Sequence, residues 1–183
     1  GSEQVLDGTT ILSWLTINDD LSVTVDSDMA ASYAQQLASK YNTYAATRSF
    51  ETTAGDTVKI GGGDYGWVIN KKGEGAQIVE DIKNGESVTR EPKYEQRAFV
   101  EGADDIGNTY IEIDYTNQHL WYYKDGSLVV DSDIVSGNLN NGNGSPDGVF
   151  KVISRQSPAT LKGEDYESDV TYFMPFAYNV GLH

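Results

Sequence analysis

Cysteine is missing from this sequence, and histidine and basic residues are scarce. The 183 residues contain no Cys and two His, and 13 Lys and Arg stand against 28 Asp and Glu, a net charge of −15. Without cysteine these residues form no disulfide, no zinc–thiolate site and no cysteine nucleophile. The excess of acid disfavours nucleic acid as a partner, because carboxylates and phosphates repel each other. No apolar run approaches the length needed to span a bilayer.

Aromatic residues are plentiful by contrast. The chain has 12 Tyr, 5 Phe and 3 Trp, and its apolar content of 38% predicts a folded protein of one large or two small domains. We interpret Gly1-Ser2 as an expression scar, which leaves open whether a native membrane anchor preceded these residues.

The first half of the chain predicts a mixed α/β unit. We expect a short helix or turn at Thr9–Leu15 and a strand at Leu21–Val25. Asp26–Asp28 provides capping oxygens for a helix that ends near Asn42. Its apolar stripe recurs every four residues and predicts core packing for Met29, Tyr33, Leu37 and Tyr41.

A hairpin and a glycine-rich segment follow this helix. Arg48–Thr53 and Thr57–Ile60 flank a turn-forming Ala-Gly-Asp, which predicts a hairpin. Gly61–Gly66 fits the G-x-G-x-x-G pattern of dinucleotide-binding proteins, which requires a helix directly after it. Strand-like residues follow here, so we interpret the segment as a flexible loop.

The rest of the first half predicts one more helix and a strand. Gly75–Gly85 has the periodicity of a helix that ends at Asn84-Gly85. Ser87–Gln96 predicts a strand at an edge or bulge, because it contains a proline. The polar, glycine-bearing Gly102–Asn108 predicts a linker between a mixed half and an all-β half.

Alternating strands dominate the second half. Thr109–Tyr115 and Gln118–Lys124 read as strands, and Asp125-Gly126 predicts a hairpin turn into Ser127–Asp131. Ser145–Ile153 predicts a third strong strand after a long polar loop. The last ten residues, Met174–His183, again read as β structure.

These segments resemble the catalytic domain of the L,D-transpeptidases, the YkuD-like family of enzymes that cross-link bacterial cell walls. The matching pieces are Tyr110–Asp114, Gln118–Gly126, Val135–Gly137, Ser145–Phe150, Met174–Phe176 and Gly181–His183. In that family a Ser-His-Gly-Cys motif follows shortly after the histidine that His183 matches. The sequence ends on His183 and has no cysteine. The resemblance therefore implies a C-terminally truncated, catalytically inactive fragment.

The first half resembles the domain that precedes the catalytic one in Gram-positive L,D-transpeptidases. The matching pieces are Lys40–Tyr44, Thr47-Arg48, Phe50, Gly62–Asn70 and Pro92–Gln96, and the family's domain is described as peptidoglycan-binding. The resemblances imply a mixed α/β peptidoglycan-binding domain at residues 1–104 and part of the catalytic domain at 105–183. The predicted fold class is an α+β N-terminal domain followed by an all-β, YkuD-like β-sandwich or barrel, C-terminally truncated.

The resemblance also implies a chemistry and a location. A cysteine thiolate attacks a donor stem peptide and an acceptor amine resolves the thioacyl enzyme, and His183 matches the imidazole beside that thiolate. No cofactor or metal is implied. The partners are peptidoglycan stem peptides outside the cytoplasm, in the cell wall or at a membrane anchor facing it.

Other chemistry-bearing residues are interpreted as structural. His119 lacks clustered acids or a nucleophile in sequence and predicts a surface or cross-strand histidine. Two carboxylate pairs, Asp131 with Asp133 and Glu112 with Asp114, predict solvated strand faces. Asn138–Gly144 has a calcium-like composition without EF-hand spacing, which favours a mobile loop beside the active site.

Two functions are therefore left open. The chain is either most of a transpeptidase or a cell-wall binding module whose catalytic-like half serves as scaffold, and the gene beyond His183 decides between them. If core strands are missing, we expect the 183-residue chain to be associated or less stable than the full-length enzyme.

Overall fold

The computed structural model describes residues 3–102, 104–138, 142–163, 167–178 and 180–183. The helices are α1 (Gly8–Leu12), α2 (Ser27–Tyr41) and α3 (Lys71–Asn84). The strands are β1 (Leu15–Ile17), β2 (Val23–Val25), β3 (Arg48–Glu51), β4 (Thr57–Ile60), β5 (Val68–Ile69), β6 (Tyr94–Gln96), β7 (Tyr110–Asp114), β8 (His119–Lys124), β9 (Ser127–Asp133), β10 (Ala159–Lys162), β11 (Glu167–Val170), β12 (Met174–Ala177) and β13 (Val180–Leu182).

Among the described residues helices occur in the N-terminal half alone and strands dominate the rest, which confirms the predicted fold class. The chain folds as two compact units, Gly1–Thr43 with Gly66–Gly102 and Tyr44–Tyr65 with Ala103–His183. Residues 44–65 thus pack with the second unit, although they precede the expected boundary between residues 104 and 105, which stays a prediction. Within the described ranges no helix is long and apolar enough to cross a membrane.

The described strands form small antiparallel ladders. Five of them are pairs, β1–β2, β3–β4, β5–β6, β10–β11 and β12–β13, and β7–β8–β9 form a three-stranded sheet. The predicted hairpin turn between β8 and β9 is confirmed, since Asp125 and Gly126 both have positive φ, 52° and 78°. The predicted hairpin of β3 and β4 is confirmed as well, with Gly55 at φ 93° in its turn.

Helix α2 begins and ends where the sequence predicts. A carboxylate oxygen of Asp26 accepts hydrogen bonds from the backbone N–H groups of Asp28 at 2.9 Å and Met29 at 3.2 Å. Asn42 is the C-cap residue. A capped helix end is a local property, so the spacing of the aspartates is sufficient to locate it.

The buried face of α2 is displaced by one residue from the predicted stripe. Its buried residues are Ala30, Ala34 and Ala38. Met29 is 43% exposed, so its predicted place in the core is wrong. The other three members of the predicted stripe are half-buried. The large side chains therefore flank the interface instead of filling it.

Close approach of α2 and α3 explains this displacement. A Cβ added to Gly75 of α3 would lie 3.2 Å from the Cα of Ala31, so the backbones are nearly in contact. Small residues permit such short distances between helix axes. Trp14, Ala30 and Ile78 form the core cluster of this unit, and Leu6, Tyr33, Val79 and Ile82 pack against it.

Most of the predicted strand at Ser87–Gln96 is not a strand, because its residues bind the buried carboxylate of Glu74 instead of a neighbouring strand. Glu74 is 3% exposed and accepts hydrogen bonds from the guanidinium of Arg90 at 3.0 Å and from the backbone N–H of Lys93 at 2.7 Å. These bonds satisfy the segment without a ladder, so only Tyr94–Gln96 remains as a strand. The strand prediction is correct for its last three residues alone.

The predicted strand at Ser145–Ile153 is wrong, because this segment contributes only an isolated bridge. Val149 bridges Gly63 in parallel, and its carbonyl accepts hydrogen bonds from the N–H groups of Asp64 and Tyr65. A side chain at Gly63 would collide with the backbone of Val149, so glycine permits this approach. The glycine-rich segment is therefore a partner for Val149 and continues into strand β5, with no helix directly after it.

A buried ion pair lies within the expected linker at Gly102–Asn108. Asp105 is fully buried, and its carboxylate contacts the guanidinium of Arg48 at 2.5 Å and 2.9 Å. The expected linker therefore contains a fully buried residue, and its role as the boundary between the two halves stays a prediction. Ala103 lies outside the described residues, as do three residues of the expected loop at Asn138–Gly144.

Breaking this pair is expected to be costly. Asp105→Asn leaves an uncompensated guanidinium in the interior, so we expect the free energy of unfolding to fall by about 3–5 kcal/mol in urea denaturation. The double variant Arg48→Met, Asp105→Leu removes both charges and should recover part of that loss. The matched control is Lys162→Met, because Lys162 pairs with Glu167 on the surface and its loss should cost less than about 1 kcal/mol. If Asp105→Asn and Lys162→Met lowered the free energy of unfolding by the same amount, the buried pair would not be a major source of stability.

Candidate functional site

The hairpin of β12 and β13 places His183 at the end of the described second unit. Met174 pairs with Leu182 and Pro175 with Gly181, and a register shift follows before Ala177 pairs with Val180. His183 comes directly after the last paired residue and is exposed. Among the described residues it has no hydrogen-bond partner, so its imidazole is accessible.

The segment before β10 anchors this hairpin. The backbone N–H of Ile153 donates to the carbonyl of Pro175 at 2.8 Å, and Gln156 and Phe173 exchange two backbone hydrogen bonds of 2.9 Å. The rings of Phe150 and Phe176 pack with centroids 5.6 Å apart. Backbone pairing and aromatic packing together fix the strand from which His183 projects.

Gly181 is required by the close packing inside this hairpin. A Cβ at this position would lie 2.5 Å from Cε2 of Phe173, 2.7 Å from the carbonyl oxygen of Met174 and 2.8 Å from Cα of Pro175. Side-chain atoms essentially never approach so closely, so any larger residue must displace the backbone. Because Gly181 has no side chain, β13 can pack closely against β12, and this packing positions His183 two residues later.

The side chain of Gln118, in the β7–β8 turn, binds the loop that follows β9 through two hydrogen bonds to Ser136. Its side-chain amide donates to Oγ of Ser136 at 2.7 Å, and its side-chain oxygen accepts from the backbone N–H of Ser136 at 2.7 Å. The backbone N–H of Gly137 then donates to Oγ of Ser145 at 3.1 Å. The Ser-Gly and Ser-Pro-Asp-Gly motifs are therefore joined by hydrogen bonds.

His119 lies within a cross-strand cluster, as predicted for a structural histidine. Its Nε2 lies 2.5 Å from a carboxylate oxygen of Asp131, and its Nδ1 lies 3.0 Å from one of Asp133. Its ring packs against Trp121, two residues along the same face, with centroids 4.4 Å apart. Asp131 and Asp133 lie on an exposed strand face, as predicted, and both also bond to the imidazole.

This cluster favours the protonated imidazole. The hydrogen bond to Asp131 contributes most to raising the pKa of His119 above its ordinary value of 6.5, and Asp133 adds to it, while desolvation opposes both. The folded state therefore binds the proton more tightly than the unfolded chain. The stabilisation is complete at pH values below 6.5 and is lost as the pH rises through the folded-state pKa.

The two carboxylates of the other predicted pair, Glu112 and Asp114, accept hydrogen bonds from different segments. Glu112 accepts hydrogen bonds from the backbone N–H and the hydroxyl of Thr53, at 3.0 Å and 2.6 Å. Asp114 accepts from the backbone N–H groups of Thr116 and Asn117 and so closes the β7–β8 turn. In the parts of the chain that the structure describes, no group of three His, Cys, Asp or Glu side chains forms a metal site.

Two structural features had no usable signal in the sequence. The Arg48–Asp105 pair joins residues 57 positions apart, and no local pattern relates them. The pairing of His119 with Asp133 depends on a register shift between Tyr122 and Tyr123. Without that shift, counting from the Asp125-Gly126 turn gives a different partner for the histidine.

Comparisons with known proteins are consistent with this arrangement. Residues 2–90 match the family model described as "Putative peptidoglycan binding domain", and residues 108–183 match that of the L,D-transpeptidase catalytic domain, YkuD. The L,D-transpeptidase of Enterococcus faecium, solved as a cysteine-to-serine mutant, is 38% identical with a TM-score of 0.75, over 96% of this chain and 71% of that one. The Ldtfm–avibactam carbamoyl enzyme is similar at 38% identity and a TM-score of 0.75, over 96% and 70% of the two chains. No curated protein matches.

The packing at Gly181 can be tested by adding one methyl group. Gly181→Ala should lower the free energy of unfolding by about 1–3 kcal/mol, because the new carbon has no room. The control is Gly8→Ala in α1, where nothing lies within 4 Å of the added carbon. Chemical denaturation of both variants measures the difference, and a Gly181→Ala protein as stable as the parent would contradict the described hairpin.

The histidine cluster can be tested by NMR titration of the His119 ring protons. We expect a pKa above 6.5 in the parent and a lower one in Asp131→Asn, which removes the main hydrogen-bond acceptor. The exposed Asp147→Asn is the control and should leave the pKa unchanged. An identical pKa in all three proteins would show that the carboxylates do not hold the proton.

Proposed function

The chain belongs to the L,D-transpeptidase family, and from this premise we propose that it carries most of an enzyme that cross-links peptidoglycan stem peptides. The observation that supports the proposal is the placement of His183, an accessible imidazole at the end of a closely packed hairpin. Catalytic side chains depend on such rigid support, because small displacements weaken the reaction strongly.

We assign to His183 the role of proton acceptor for a cysteine thiol. The resulting thiolate attacks the carbonyl of the third residue of a donor stem tetrapeptide, forms a thioester and expels the terminal D-Ala as the amine leaving group. The amine of an acceptor stem then attacks the thioester, gives up a proton to the imidazole of His183, forms the cross-linking amide and releases the thiolate. The proton taken from the thiol is available for the leaving amine.

The cysteine of this mechanism lies outside the 183 residues, which contain none. The matched Enterococcus faecium protein does carry a cysteine, since its structure is that of a cysteine-to-serine mutant. We therefore propose that the 183 residues alone are inactive. The reaction requires a polypeptide that adds the nucleophile beside His183.

The first unit supports a location at the cell wall. The match of residues 2–90, which contain most of this unit, to a peptidoglycan-binding domain, next to a transpeptidase domain, favours an extracytoplasmic protein that retains its substrate through a separate binding module. We propose peptidoglycan stem peptides as its partners and a Gram-positive cell wall as its environment. A membrane anchor outside these residues belongs to the same proposal.

A second candidate function is a cell-wall binding module without catalysis. The absence of cysteine and the match of residues 2–90 to the peptidoglycan-binding model favour it. In that case His183 is a surface residue, and the second unit serves as scaffold. The two candidates differ in whether the gene encodes a cysteine that reacts beside His183.

Covalent labelling by avibactam, with which the Ldtfm enzyme forms a carbamoyl adduct, separates the candidates. We would express the 183-residue chain and the complete reading frame, and follow adduct formation by intact-protein mass spectrometry. We expect no adduct on the short chain and one adduct on the complete protein. His183→Gln in the complete protein should slow labelling about 100-fold or more, because thiolate formation loses its base.

The matched control is His119→Gln, which removes the other histidine and should leave the labelling rate unchanged. Equal rates for the two histidine variants would overturn the assigned role of His183. A complete reading frame without cysteine, whose product binds peptidoglycan sacculi but forms no adduct, would establish the binding module instead.

A further inference from the structure

The imidazole of His119 lies between two carboxylates of the neighbouring strand β9. Its Nε2 is 2.5 Å from a carboxylate oxygen of Asp131, and its Nδ1 is 3.0 Å from one of Asp133. The side chain of His119 is only 22% exposed and its ring packs against Trp121, so the sheet fixes the position of the ring. Both ring nitrogens are therefore directed at hydrogen-bond acceptors.

Only the charged form of the ring satisfies both contacts. An ionised carboxylate accepts hydrogen bonds and donates none, so each contact requires an N–H group on the ring. The imidazolium has two N–H groups, whereas the neutral ring has one and turns a lone pair towards the second carboxylate. Loss of one proton therefore converts one of the two hydrogen bonds into a repulsive contact.

The charged groups that face the ring from both neighbouring strands are acidic. Asp131 and Asp133 face it from β9, and on β7 Asp114 lies opposite His119 in the ladder. Asp114 accepts a hydrogen bond from the backbone N–H of Asn117 at 2.9 Å, so it acts on the ring through its charge alone. The charge of His119 in turn contributes to the lowered pKa of Asp114, after the larger effect of the bonds from Asn117. The carboxylates of both strands thus favour the imidazolium.

The contacts of the ring depend on the bulge in β9. The register shift between Tyr122 and Tyr123 leaves β9 with one extra residue, Val129. Without it, Asp131 and Asp133 would both turn to the opposite face of the sheet, because successive residues of a strand alternate between faces. All seven residues of β9 are exposed, so burial does not select the register. The charged ring does favour one register, because only the bulged strand presents both carboxylates to it.

We propose that His119 is a pH-sensitive clamp, whose imidazolium holds the end of β9 in the bulged register and whose neutral form releases Asp133. Asp133 is the partner that is released, because its contact is the longer one and its side chain is 96% exposed, against 56% for Asp131. Gln118 binds Ser136 through uncharged groups at any pH, so the release is confined to the end of β9.

The raised pKa of His119 gives the direction of the change. The folded chain keeps the proton at pH values where the unfolded chain, with its ordinary pKa of 6.5, has lost it. The clamp is therefore fully closed below pH 6.5 and opens as the pH rises through the folded-state pKa. Alkaline conditions release the strand, and acidification restores it.

A spin label on β9 tests the clamp, and the absence of cysteine from the 183 residues permits a single labelling site. Ser132→Cys places a nitroxide at an exposed position between the two aspartates. We would record its EPR line shape between about pH 5 and about pH 9. We expect an immobilised spectrum at low pH and loss of the immobilised component at high pH. The midpoint should equal the pKa of the His119 ring protons, measured by NMR on the same protein.

Asp133→Asn separates the clamp from a general loosening of the sheet. A carboxamide accepts a hydrogen bond from an N–H group and also donates one to a lone pair, so it satisfies both forms of the ring. We expect the label at Ser132→Cys to stay immobilised at every pH in this variant, although the ring still titrates beside Asp131. The matched control is Asp169→Asn on the exposed strand β11 of the same unit, where the carboxylate accepts from the hydroxyl of Thr160 at 2.8 Å. The control should behave as the parent.

A line shape of the parent that does not change with pH would overturn the proposal, as would a midpoint that differs from the ring pKa. It would also be overturned by an Asp133→Asn protein whose label is mobile at high pH, or by a control that has lost the pH dependence. His119→Gln does not titrate in this range, so a pH-dependent spectrum in that variant would likewise contradict the clamp. The measurement involves neither a cysteine nucleophile nor His183, and its outcome is independent of the transpeptidase proposal.

Discussion

The buried ion pair of Arg48 and Asp105 organises the second unit. An unpaired charge in the interior loses its hydration, so each partner is retained only while the other is present. Arg48 also donates to the carbonyl of Ala46, and the hydroxyl of Tyr65 donates to the carbonyl of Asp105. The pair thus joins both ends of the 44–65 segment to the start of the β-rich half.

Local physical chemistry explains what the sequence predicted correctly. The aspartates before α2 and the glycine after α3 act within one helical turn, so they locate helix ends without knowledge of the fold. Asp125-Gly126 tolerates positive φ at both residues and therefore specifies a hairpin. Alternation along β8 puts His119 and Trp121 on one face, where their rings pack together. In each case the deciding interactions span only a few residues.

The errors arose where tertiary contacts override local preference. Met29 fits an apolar stripe, but the alanine face of α2 permits a closer approach to α3. Ser145–Ile153 has the composition of a strand, yet Val149 is bonded to a glycine-rich segment more than eighty residues earlier. The partner of His119 depends on one bulge. The position of His183 after a strand followed from family resemblance, and no local pattern marks its role.

The separation of Arg48 and Asp105 along the chain has a consequence for synthesis. Translation produces Arg48 first and Asp105 57 residues later. During that interval the residues that complete the first unit, Gly66–Gly102, are made. The β3–β4 hairpin therefore emerges from the ribosome with a charged side chain that has no buried partner, and it cannot dock until the β-rich half begins to appear. All residues of the first unit have been made before the hairpin's partner segment is synthesised, so the first unit can fold before the second.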